Sequence, residues 1–137
     1  MMNLKTLRWI SCVSAVALTI NACEPDDVAP DVSRNDYLGA WTGQSDGPVN
    51  GPLGFQMNIT ASNSSSDGIL MENFDAVGAG RKVVAYVDGG NITIPLNIIN
   101  GDSIIGSGTY RSNGSLSFSF TVSDGQTVDE RTATATR

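Results

Sequence analysis

"SLSFSFTV", residues 115–122, decides the fold class. Leu116, Phe118, Phe120 and Val122 occupy every second position, and Ser115, Ser117, Ser119 and Thr121 fill the places between. A period of two puts the apolar side chains on one face of an extended segment, the mark of a half-buried β-strand. "LGFQMNITA", residues 53–61, repeats it with Leu53, Phe55, Met57, Ile59 and Ala61. "NITIPLNI", residues 91–98, places Ile92, Ile94, Leu96 and Ile98 on one face. Pro95 has no N–H for a ladder, so this strand is expected at an edge or at a bulge. Further strands are expected over residues 38–44, 68–73, 82–87, 104–111 and 128–136.

Gly, Asn, Asp and Ser punctuate these runs in "DGPVNGP", "SNSSSDG", "VGAGR", "DGGN", "NGDS", "SNG" and "SDGQ". No segment keeps a helical period; "SRNDYL", residues 33–38, allows one helical turn capped by Ser33. About eight short strands linked by tight turns predict an all-β, antiparallel up-and-down barrel over residues 36–137, with a β-sandwich as the alternative.

The first strand adds a specific feature. Gly39-Ala40-Trp41 in "LGAWTG" resembles the Gly-x-Trp of calycins, the superfamily of lipocalins, fatty-acid-binding proteins and avidins. In that superfamily the tryptophan closes one barrel end after a short helical turn, and a late Arg or Lys packs on its ring. In a closed meander of even strand number the last strand ends beside the start of the first. Arg137 is therefore the residue expected at Trp41, and Arg131 is expected nearer the opposite end. Two solvated arginines remain the plain alternative. Residues 36–137 also resemble, by pattern more than by identity, the small lipocalin-like lipoproteins common in Bacteroidota.

The N-terminus speaks of location. "MMNLKTLR" carries Lys5 and Arg8 and no acid, and the twelve residues Trp9 to Ile20 carry no charge. A basic start followed by an apolar run of this length is the pattern of a secretory signal peptide. It falls short of the roughly 20 apolar residues that span a bilayer. "INAC", residues 20–23, resembles the lipobox of bacterial lipoproteins, with Ile20 three places before Cys23 and Ala22 just before it. The resemblance implies cleavage after Ala22 and a diacylglyceryl group on the Cys23 sulfur. Residues 1–22 are then a lipoprotein signal peptide, and the alternative is ordinary cleavage that leaves Cys23 free. Cys12 leaves with the signal, so the body has no thiol and no disulfide.

"EPDDVAPDVS", residues 24–33, follows with four acids and two prolines. Such a segment has little to bury, so residues 23–35 are expected to form an acidic, disordered tether. Glu24, Asp26 and Asp27 resemble the signal that exports lipoproteins of the Bacteroidota to the outer face of the outer membrane. A lipoprotein facing the periplasm is the alternative. The chain after Cys23 holds fourteen acids against six bases, a net charge of −8. That balance excludes nucleic acid as a partner, because its binding depends on cations that neutralise phosphates. It also leaves membrane attachment to the lipid.

Catalytic chemistry finds little to work with. The chain has no histidine, which removes the Ser-His-Asp and Cys-His arrangements and the commonest metal ligand. "GAGRK", residues 78–82, lacks the spacing of a phosphate loop and leads into a strand. Asp129 and Glu130 are adjacent and point to opposite faces, so they are no glycosidase pair. Glu72 has an inward option, but no partner for it is evident. No enzyme activity, cofactor or metal is expected. Two functions stay open: a module binding a small apolar ligand or a glycan in the barrel, or a structural or accessory surface protein with a solid core. Phe55, Met57, Phe118 and Phe120 favour a filled interior, whereas Gly106 and Gly108 leave room. Finally, "DSI", residues 102–104, resembles the D-[ST]-[aliphatic] site of O-glycosylation in Bacteroidota, with Ser103 as acceptor; a turn entering a strand reads the same residues without a glycan.

Overall fold

The computed structural model describes residues 28–137. Eight strands follow in order: β1 (Gly39–Asp46), β2 (Leu53–Ala61), β3 (Gly68–Glu72), β4 (Lys82–Asp88), β5 (Asn91–Ile99), β6 (Asp102–Tyr110), β7 (Leu116–Ser123) and β8 (Val128–Thr136). Each pairs antiparallel with the next, and β8 returns to β1 from Thr42 opposite Thr136 to Asp46 opposite Thr132. The sheet is a closed barrel, so no strand edge is left to template foreign pairing. The sandwich alternative fails on this closure.

One turn of helix, α1 (Arg34–Tyr37), precedes β1. The Ser33 N–H donates to the Asp36 carboxylate at 2.7 Å, which fixes its start. Residues 28–35, expected in the tether, lie against the barrel. Val28 bridges Arg111, and the Ala29 N–H donates to the Tyr110 carbonyl at 2.8 Å.

This end is closed as the first-strand tryptophan implied. Trp41 is buried, its Nε1 donates to the Tyr37 carbonyl at 2.8 Å, and the Arg137 guanidinium carbon stands 4.1 Å from its ring centroid. Arg137 also donates to the Leu38 and Asp36 carbonyls, tying β8 to the helix. Tyr37 and Tyr110 meet edge to face at 5.2 Å, and Tyr110 meets Trp41 at 6.1 Å. The Tyr37 hydroxyl donates to the Gly89 carbonyl at 2.8 Å, and burial pushes its pKa up.

Strand β5 departs from the expected alternation. Ile92 and Ile94 point inward, but Leu96 and Ile98 point out, and Asn97 takes the inner place. The register shifts between Ile94 and Asn97, a bulge at Pro95. Proline cannot donate to β4, and the β4–β5 ladder stops at Tyr86 opposite Thr93. The Asn97 side chain takes over as a surrogate peptide. Its Oδ1 accepts from the Val84 N–H at 2.9 Å, and its Nδ2 donates to the Val84 carbonyl at 3.0 Å and to the Pro95 carbonyl at 2.8 Å. An asparagine presents one acceptor and two donors, the set this seam needs.

Two substitutions test these closures by urea unfolding of the purified protein. Asn97→Ala strands a backbone pair in the wall and is expected to cost about 1–3 kcal/mol. Asn97→Asp, which keeps the acceptor and loses the donors, is expected to rescue little. Trp41→Ala is expected to cost about 3–5 kcal/mol as a large core deletion. A cost below 1 kcal/mol for either alanine would show that its end or seam is not holding the barrel shut.

Candidate functional site

The barrel interior and the end opposite Trp41 hold the chemistry that strand patterning alone does not explain. Three inward glycines each face an inward phenylalanine on the neighbouring strand: Gly43 opposite Phe55, Gly106 opposite Phe120, and Gly108 opposite Phe118. A Cβ on Gly108 would stand 2.7 Å from the Phe118 ring, so the glycine leaves that space to the phenyl. The room expected at Gly106 and Gly108 is therefore filled by Phe120 and Phe118.

A fourth ring completes the fill. Between β3 and β4 the chain dips inward as a 3-10 turn, Phe74–Ala76. Phe74 is fully buried, with its ring centroid 5.8 Å from Phe55, 5.0 Å from Phe118 and 4.8 Å from Phe120. Such spacings are those of edge-to-face and tilted aromatic pairs. The turn is bent hard: Asn73, Asp75 and Ala76 take φ of 63°, 55° and 60°, in the left-handed region. Strain of this kind persists only where the surroundings fix it. Here the Asn73 Oδ1 accepts from the Gly78 N–H at 2.8 Å, and its Nδ2 donates to the Gln56 carbonyl at 3.0 Å.

Asp75 enters with Phe74 and meets Arg131. The Arg131 Nε lies 3.2 Å from an Asp75 oxygen and Nη1 lies 2.9 Å from the Asp129 carboxylate. Nη2 donates to Ser45 Oγ at 2.8 Å and to the Gly51 carbonyl at 2.9 Å. The Ser45 hydroxyl in turn donates to Asp75. Four of the five guanidinium N–H groups are thus spent inside the protein, and Arg131 is only 1% exposed. Asp129 also accepts from the Val49 and Asn50 N–H groups at 3.1 Å, pinning the β1–β2 loop over this end. Gly47 passes so close that a Cβ there would stand 2.6 Å from the Asp129 carboxylate.

Two carboxylates share one guanidinium and divide it unequally. Burial would raise Asp129, but hydrogen bonds from Val49, Arg131 and Asn50 outweigh it and hold the carboxyl below the usual range. Burial dominates at Asp75 and pushes it up, against the pull of Ser45 and Arg131. Carboxyls whose environments push them apart can serve as acid and base. Here both are buried and their partners are protein groups, so the cluster clamps the inserted turn to β1 and β8.

The other sequence-predicted residues are scattered. Trp41 and Arg137 sit together at the far end. Ser103 lies half-buried on the outer wall opposite Ile98, its Oγ 3.4 Å from the Ser123 carbonyl. Glu72, expected to have an inward option, faces out and accepts from the Gly80 N–H at 2.8 Å. Cys23, Glu24, Asp26 and Asp27 lie outside the described residues. Among the described residues, depressions of about 230–320 Å³ lie on the outside of the wall or at its rim. One at the rim is lined by Asp102, Asp124 and Asp129 among others, and one of about 320 Å³ by Ala40, Gln56, Asn58 and Glu72 among others. Among the described residues no group of acids, cysteines or histidines is placed to hold a metal.

No family model matches the chain, and no curated protein matches it. Among solved structures it is similar to a protein of unknown function from the DUF3598 family of Nostoc punctiforme, with a TM-score of 0.52 and 15% identity. The match covers 85% of this chain and 53% of that one, so the chain spans about half the length of that protein. The likeness is one of fold: an eight-stranded antiparallel barrel.

Arg131→Met leaves two buried carboxyls without their cation and is expected to cost about 3–5 kcal/mol. The pH dependence of unfolding separates the carboxyls. Asp129, held low, stabilises the fold above the usual carboxylate pKa of about 3.9, and that contribution is lost as pH falls through its lowered value. Asp75, held high, works in the opposite sense, since the folded state binds its proton more tightly and gains as pH falls through the raised value. Asp129→Asn is therefore expected to flatten the loss of stability in acid, and Asp75→Asn to steepen it. Identical acid profiles for both variants would reject the unequal sharing.

Proposed function

We propose that this chain is a lipid-anchored envelope lipoprotein whose barrel is a solid body acting through its outer surface. The observation that carries the second half is Phe74. Its ring occupies the middle of the barrel against Phe55, Phe118 and Phe120, where a carrier of small apolar molecules would hold its ligand. The lipobox-like "INAC" and the basic-then-apolar start support the anchor on Cys23. Gly39-Ala40-Trp41 with Arg137 over the ring supports a calycin-like kinship, and the small lipoproteins of Bacteroidota are the group it resembles. Attachment to the outer membrane, with the barrel displayed at the cell surface, follows from Glu24, Asp26 and Asp27 on the same reading. No step of it calls for a catalytic group.

One acyl chain binds a membrane only marginally, whereas the two or three chains of a processed lipoprotein hold it stably. Labelled palmitate is expected in the wild type and not in Cys23→Ala, and globomycin is expected to leave a precursor that retains residues 1–22. Equal labelling of both forms would end the anchor reading. For the solid core, an environment-sensitive fatty-acid probe is expected to stay dark with the wild type. Phe74→Ala, which removes the central ring, is expected to open an apolar cavity and bind it. Saturable binding of the probe by the wild type with micromolar affinity would restore the carrier function.

A further inference from the structure

The outer wall is not uniform. Across β5, β6 and β7 the only charged side chain is Asp102, at the hairpin that starts β6. The other charges stand on β1, β3, β4 and β8 and in the helix and loops, in a chain whose net charge is −6. Within the uncharged wall the Pro95 bulge turns Leu96 and Ile98 outward, 63% and 64% exposed, beside Ile105 at 49%. Tyr86, 40% exposed, extends the patch one strand over, paired with Thr93. Around these aliphatics the outward positions are hydroxyls: Thr93, Ser107, Ser119 and Thr121. An apolar centre with a neutral polar rim is the make-up of an interface core.

We infer that this β5–β6 wall is where a second copy of the chain docks, in a side-by-side pair related by a two-fold axis parallel to the barrels. Two copies of an acidic protein repel one another wherever their charges face. At Leu96, Ile98 and Ile105 they meet with no charge on the contacting side chains, while Asp88 beyond Tyr86 and Asp102 at the hairpin stand to either side, and the patch is its own complement. Leu96, Ile98 and Ile105 of each copy then cover those of the other. The chain enters the barrel at Val28, beside Arg111 at the Trp41 end, whereas the patch lies toward the Ile99–Asp102 hairpin. Such an axis keeps both entry points on the same side. This part rests on the anchor proposed above: five residues from Cys23 to Val28 reach at most about 18 Å, so the Trp41 end faces the membrane and the walls face each other. Anchoring in one leaflet raises the effective concentration, so a small interface suffices.

Removal of the signal peptide takes Cys12, and lipid on Cys23 takes the other thiol, so a cysteine placed on the wall is the body's only free thiol. Cells expressing the full chain with Ile98→Cys or Ile105→Cys are treated with a thiol oxidant and read on a non-reducing gel. The control is Gln56→Cys, exposed on the outer face of β2. Both wall variants are expected to give a band of twice the chain mass, and the control none. Adding Leu96→Asp to Ile98→Cys is expected to lower that band at least tenfold. Equal bands in wall and control variants, no band in either wall variant, or a cross-link of another mass would each overturn the proposal, the last by assigning the wall to a different partner. An added hexose mass on Ser103 in a protein that does not cross-link would overturn it too, since a glycan would then hold the wall. Palmitate labelling is read in the same cells. Loss of the dimer with labelling intact sinks the pairing alone, and a dimer band in the wall variants but not in Gln56→Cys, without labelling, sinks the anchor alone.

Discussion

An eight-stranded barrel encloses a volume that must be filled, and the way this chain fills it governs the rest of the structure. Strands alone leave a gap here, because three inward positions are Gly43, Gly106 and Gly108. Each glycine faces a phenylalanine, and the rings from opposite sides of the barrel are too few to meet across it. Phe74 joins them. A ring delivered by a loop, not by a strand, forces that loop through the barrel mouth, and its backbone takes up left-handed φ at three residues to get there. A turn so placed carries its neighbour with it, and Asp75 arrives in the interior as a charge in need of a partner.

Arg131 answers that need, and its cost shapes the loop above it. A guanidinium and two carboxyls taken from water lose several kcal/mol of hydration each, and their attraction repays it only if every hydrogen bond is made. Strand β8 supplies Asp129 and Arg131, β1 supplies Ser45, and the β1–β2 loop supplies the Val49 and Asn50 N–H groups and the Gly51 carbonyl. Three parts of the chain distant in sequence, residues 45–51, Asp75 and residues 129–131, must come together before the cluster is complete. The cluster thereby fixes one arrangement of the mouth more than it adds stability. The two arginines of β8 divide the work: Arg131 inside holds one end, and Arg137 stacked on Trp41 holds the other.

Strand patterning was legible because period-two alternation is a local property. Leu116 to Val122 needs no knowledge of its neighbours to declare a face, whereas eight such strands suit a barrel or a sandwich, and closure rests on the pairing of β8 with β1. Arg137 at Trp41 was readable from that register. The Arg131 cluster was half legible: in "VDERTATAT" the inner face runs Asp129, Arg131, Ala133, Ala135, two charges in the core register of a strand. Asp129 and Glu130, adjacent in sequence, point to opposite faces, and the pair that meets lies two residues apart. Asp75 carried no signal at all, because its loop has no period and its partner lies 56 residues away. The flipped half of β5 was announced by Pro95 but not resolved by it, since either a bulge or an edge satisfies a missing N–H. Only Asn97, an amide able to stand in for a peptide, tips the choice to a bulge.

That bulge links the filled interior to the outer wall. Inside, parity is enforced by burial: β7 gives Phe118 and Phe120 to the Phe74 cluster, opposite Gly108 and Gly106 of β6, and β8 gives Asp129 and Arg131 to the ion cluster. Outside, parity leaves serine and threonine, which suit water and need no partner. One inserted residue in β5 exchanges the two classes over half a strand, so Asn97 goes in and Leu96 and Ile98 come out. A slip of that kind exposes aliphatic surface that folding alone would hide, and it does so in the part of the wall that carries no charge. The interior is committed to its own side chains, and the aliphatic surface that the bulge exposes lies on the outer face.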